Sequence, residues 1–133
     1  MSAPQRPGLR AAPWVLWFGV LGGATAWTLH TLVDWGIDET TCRSGHTDLA
    51  GVPVKPLLIG TTLAFLLLAV VSGVLAYRHW RELRAAEDAD PLSQLRLQRA
   101  SMMALVGFAA DVVFVLILAC TAVAVLVFPV CGA

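Results

Sequence analysis

The sequence predicts an all-α integral membrane protein with three transmembrane helices, and three observations carry that expectation. The first is composition: in a 133-residue chain, 58% of residues are hydrophobic and 14% charged, and the mean hydropathy is +0.76. A soluble domain of this size balances apolar and charged residues differently. The second is that three apolar runs, at 13–33, 56–77 and 102–128, each reach the length of about 20 residues needed to cross ~30 Å of hydrocarbon. The third is the partition of basic residues. Arg6 and Arg10 in the tail and Arg78, Arg81, Arg84, Arg96 and Arg99 between the second and third runs would share one side, leaving Arg43 and Lys55 for the other. By the positive-inside bias the N-terminus is expected in the cytoplasm and the C-terminus outside.

Residues 1–12 hold two prolines and two arginines and read as a cytoplasmic tail. A basic stretch before an apolar run also resembles a signal peptide, with Ala24 and Ala26 offering a small-residue cleavage site. Bulky Trp14, Trp17 and Phe18, and apolar character continuing to Val33, favour a retained anchor. Within the first run Gly19 and Gly23, and beside them Gly22 and Ala26, lie four residues apart. In lipid, small residues at that spacing let helices approach closely, so this stripe is a helix-contact face, against this chain's own spans or against a larger membrane complex. Its continuation carries His30 and Asp34.

Residues 34–55 are expected to form an outer loop without long regular structure, because Gly36, Gly45, Gly51 and Pro53 interrupt them. The second span runs into Tyr77, Arg78, Trp80, Arg81 and Arg84, an aromatic and basic anchor. Residues 78–101 are expected to form a cytoplasmic helical hairpin, with Asp90 as N-cap and Pro91 opening the third helix. The third span ends at Phe128–Pro129, and residues 129–133 form a short outer terminus.

On the outer side Cys42 and Cys131 would be free to oxidise and are expected to form a disulfide. Cys120, inside the third span, reads as a small apolar core residue. Asp111 is the most costly residue to insert, on the order of 2.5–3.5 kcal/mol mid-membrane. It lies about 13 Å from the inner boundary, level with Gly22 and Gly23 of the first span and with 67–72 of the second. It is either a neutral, hydrogen-bonded acid or the partner of another subunit, or it belongs to a small oligomeric proton- or ion-conducting protein.

His30 and His79 are separated by most of the membrane thickness and cannot ligate one haem between them. His30 and Asp34, one turn apart, suit a local ion pair. With Cys42 and His46 they form the candidate metal set, imidazole and thiolate being copper and zinc ligands, and an outer-face metal-delivery protein is the alternative function. No phosphate-binding glycine loop, nucleophile elbow or HExxH is present, nor any basic run interleaved with aromatics that would suggest nucleic acid. No enzymatic activity and no cofactor are expected.

Gly23, Ala26, Trp27 and His30, an aromatic five residues on at Trp35 and a cysteine at Cys42 resemble small multi-span bacterial membrane proteins that accompany haem-copper oxidases and related respiratory complexes. The likeness covers about 25 residues. It implies a non-catalytic accessory or assembly subunit of a terminal oxidase in the bacterial inner membrane. The chain lacks the several membrane histidines of the catalytic subunits.

Overall fold

The computed structural model describes residues 13–45, 48–87 and 94–129. These form helices α1 (Pro13–Ser44), α2 (Val54–Glu87) and α3 (Gln94–Val127), with a two-stranded ribbon, β1 (Asp48–Leu49) and β2 (Val52–Pro53), between the first two. The ribbon is antiparallel and pairs Asp48 with Pro53 and Leu49 with Val52. Its turn places Ala50 and Gly51 at φ 52° and 81°; the left-handed region suits the glycine and strains the alanine.

The three helices contain 32, 34 and 34 residues, so each is about 50 Å long and outreaches a ~30 Å hydrocarbon layer. Each packs against both others. The buried positions trace one stripe per helix. On α1 it is Gly19, Gly22, Gly23, Ala26, His30, Ile37 and Thr41; on α3 it is Ser101, Ala104, Gly107, Asp111 and Leu118. Spacings of three and four residues keep such positions on one side of a helix.

Polarity in the bundle is inverted relative to a soluble protein. His30, Thr62, Ser72 and Asp111 are buried, while Leu67, Val106, Leu116 and Val123 are more than half exposed. In water that arrangement would strand apolar surface; against hydrocarbon it is the favourable one. Among the described residues α2 and α3 are long and apolar enough to cross a membrane.

The outer loop expected at 34–55 is corrected. α1 runs on to Ser44, and the connection to α2 is the short ribbon. Gly36 costs about 1 kcal/mol in a helix interior, yet tertiary packing outweighs it. Ile37 of the added turns packs on Val54 and Leu58 of α2. The polar side chains of these turns are satisfied locally: Thr41 Oγ1 donates to Ile37 O at 2.7 Å, Ser44 Oγ to Thr40 O at 2.8 Å, and Arg43 meets Glu39 at 2.7 Å.

The far ends of α2 and α3 are joined by a side chain. Lys55 Nζ donates to Leu126 O at 3.1 Å, capping a carbonyl in the last turn of α3 and placing a cation at the negative end of that helix. Pro129 then stops the chain from continuing as helix. The tail 1–12, the Asp90–Pro91 helix start, His46 and Cys131 lie outside the described residues.

Candidate functional site

Two polar knots hold the bundle, one at mid-height and one nearer the ribbon end. The mid-height knot is built around Asp111 of α3. Gly23 N on α1 donates to Asp111 Oδ1 at 2.9 Å, and Ser72 Oγ on α2 lies 2.9 Å from Asp111 Oδ2. Ser72 Oγ is also 2.9 Å from Phe18 O. One carboxyl therefore touches both other helices at the level that counting along the chain indicates.

The glycines make this approach feasible. A Cβ at Gly23 would collide with Asp111 Oδ1 and come within 3.1 Å of its Cα. One at Gly22 would collide with Ser72 Oγ and stand 2.8 Å from its Cβ, and one at Gly19 would sit 3.3 Å from Ala76 Cα. Ala26 is fully buried against Ala69 and Leu118. The stripe Gly19, Gly22, Gly23 and Ala26 is thus covered by this chain's own α2 and α3, the first of its two readings, and not left open for a larger complex. Gly107, not singled out from the sequence, belongs to the same seam. Its Cβ would lie 2.9 Å from Val20 Cα and 3.1 Å from Gly19 O.

The ribbon-end knot joins α1 to α2. His30 is buried, with its ring edge-on to Phe65 at 5.8 Å. His30 Nε2 is 3.0 Å from Asp34 Oδ2 and 3.0 Å from Thr62 Oγ1. Thr61 Oγ1 donates to Asp34 Oδ1 at 3.0 Å, and Thr62 Oγ1 donates to Leu58 O at 2.7 Å. Asp34 lies just past the apolar run. Burial pushes its carboxyl above the usual range, offset in part by the Thr61 bond and the charge of His30.

This geometry limits the chemistry. In a nucleophilic relay the two ring nitrogens of the histidine serve the acid and the hydroxyl separately. Here a single nitrogen faces both, and the Thr62 hydrogen is already committed to a backbone carbonyl. The threonine is not activated.

Nor does the candidate metal set assemble. His30 and Asp34 meet, but Cys42 lies eight residues past Asp34 on the same helix, about 12 Å along the axis. Its Sγ is 3.1 Å from Asp38 Oδ1. Among the described residues no three His, Cys, Asp or Glu side chains gather as a metal site. His79 pairs loosely with Glu82 at 3.6 Å. It sits 17 residues along α2 from Thr62, so about 25 Å from His30.

Cys120 corrects a sequence expectation. It is exposed, because nine residues from Asp111 is two and a half helical turns, about 180° away from the buried stripe. Thr61, Thr62 and Ser72 are the partners that sequence reasoning did not assign. The available signal was a hydroxyl inside an apolar run, which in lipid seeks a hydrogen bond.

Compared with known proteins, the chain matches no family model, no curated protein and no solved structure.

Proposed function

We propose that the chain spans the bacterial inner membrane three times, N-terminus inside, as a non-catalytic accessory or assembly subunit of a respiratory complex such as a haem-copper oxidase. The observation that carries the non-catalytic part is that His30, Asp34 and Asp111 are all spent on straps between helices. His30 and Asp34 are engaged with each other and with Thr61 and Thr62, and the Asp111 carboxyl, although its residue lines a groove between α2 and α3, is engaged by Gly23 and Ser72. The seven-to-two split of basic residues supports the orientation, and the run from Gly23 through His30 to Trp35 and Cys42 supports the class of partner. With the glycine stripe occupied, the surface left for that partner is the apolar outer face of the bundle, on which Val106, Val113 and Leu116 of α3 are more than half exposed.

The test is purification in mild detergent with identification of co-purifying chains and a visible absorption spectrum. Cofactor-bearing subunits should accompany the chain; recovery as a lone monomer from a membrane that contains the oxidase overturns this reading. We further assign the outer Cys42 and Cys131 to one disulfide, which in the chain-entropy view contributes roughly 4 kcal/mol for so long a loop. A thiol count on unreduced, unfolded protein should then find one thiol, that of Cys120; three would reject the bridge.

A further inference from the structure

Between α2 and α3, on the side away from α1, runs an apolar groove of about 350 Å³. Val70, Gly73, Val74 and Tyr77 form one wall and Phe108 and Val112 the other. The missing side chain of Gly73 opens its middle. From Val70 to Tyr77 the groove follows the helices for about 10 Å. Asp111 backs it, but that carboxyl is engaged by Gly23 and Ser72.

The groove does not end on more hydrocarbon. Tyr77, which packs on Phe108 with ring centroids 5.4 Å apart, carries the Arg81 guanidinium over its ring at 6.0 Å. One turn on, Arg84 lies over Trp80 at 5.4 Å. Stacking of this kind fixes a guanidinium while leaving its N–H edge free. Among the described residues no carboxylate pairs with Arg78, Arg81 or Arg84, whereas Arg43 at the other end of the molecule does have one. A single aromatic ring therefore joins an apolar channel to a cation that no carboxylate among the described residues pairs with.

We infer that this seam is a binding site for one anionic phospholipid of the inner leaflet, an acyl chain lying in the α2–α3 groove and the headgroup phosphate meeting Arg81. The match is one of both polarity and charge. A tail without the headgroup leaves Arg81 unpaired, and a headgroup without the tail leaves the groove unfilled. A planar, multi-donor guanidinium is suited to phosphate oxygens, and basic residues just inside a span attract anionic lipid. The inference rests on the membrane reading above.

The full chain in mild detergent is tested by native mass spectrometry with phosphatidylglycerol, with phosphatidylcholine of the same acyl chains, and with glycerol phosphate alone. One phosphatidylglycerol should be retained in preference to phosphatidylcholine. Arg81→Gln should lower that preference roughly fivefold and leave phosphatidylcholine retention unchanged. Val112→Phe, at a half-exposed position on the groove wall, should weaken retention of both lipids, and Val74→Phe is the second variant should the first lose helicity by circular dichroism. Equal retention of the two lipids, an unaltered preference in Arg81→Gln, retention of glycerol phosphate alone, or a lipid-free dimer would each overturn the site. Resistance to alkaline extraction from membranes is measured in parallel. A chain that washes off fails the membrane reading, and one that stays but shows no lipid preference fails only this inference.

Discussion

The two knots use similar side chains, yet they differ in what each has to fall back on. At the ribbon end, Thr61 and Thr62 both also reach Leu58 O of their own helix, at 3.0 and 2.7 Å, and His30 and Asp34 hold each other across one turn of α1. Each member keeps a partner if another is removed. At mid-height Asp111 has no such local reserve; its two bonds both come from other helices. A polar group in lipid is secure when its own helix can satisfy it, and depends on the fold when it cannot.

The largest effect is expected from Gly23→Ala. The added methyl meets the Asp111 carboxyl and pushes it off the residue-23 amide, so overpacking of about 1–3 kcal/mol adds to a weakened hydrogen bond. Unfolding in mixed detergent micelles should show it, and a variant as stable as the parent would mean that α1 and α3 do not touch here. Next comes a matched pair. Ser72→Ala strands Asp111 Oδ2 with no second partner, a cost of about 1–3 kcal/mol for a buried polar group. Thr62→Ala leaves His30 still bound to Asp34 and should cost about 0.6 kcal/mol, the average for a hydrogen bond between membrane helices. Equal losses for the two would erase the distinction drawn between the knots.

The smallest effect concerns acidity at the ribbon end. A carboxyl whose proton is held more tightly in the bundle than in the unfolded chain favours folding at low pH. Stability contributed in this way is present below the ordinary carboxylate range and is lost as pH rises through the raised value. Asp34→Asn should flatten that part of the stability–pH curve, while a curve unchanged by the substitution would remove Asp34 as its source.

Much of this arrangement was legible in the chain because hydropathy reports length and a lone aspartate in an apolar run reports burial. The His30–Asp34 pair followed from one-turn spacing alone. What could not be read was which donor would meet Asp111. The Gly23 amide is a helical N–H, and a sequence gives no sign that one such group will serve a second acceptor. The extension of α1 through Gly36 was hidden because its support is tertiary, in Ile37 against Val54 and Leu58. Cys120 was misplaced for a related reason. In a helix apolar on all sides the pattern does not distinguish the lipid side from the protein side, and only the glycines, Ser101 and Asp111 fix the phase.

The lysine at the start of α2 has a consequence for alignment. α3 is held to its neighbours at two points, by Asp111 at mid-height and by the Lys55 cap on Leu126, 15 residues apart and so about 22 Å along the axis. Sliding α3 by one residue would shift it by about 1.5 Å and rotate it by about 100°, losing both attachments at once. An apolar helix in lipid has many nearly equivalent positions along its axis. Two fixings at different heights act as a vernier, singling out one of them, and a defect in either should show itself as α3 sampling several registers rather than as loss of helix.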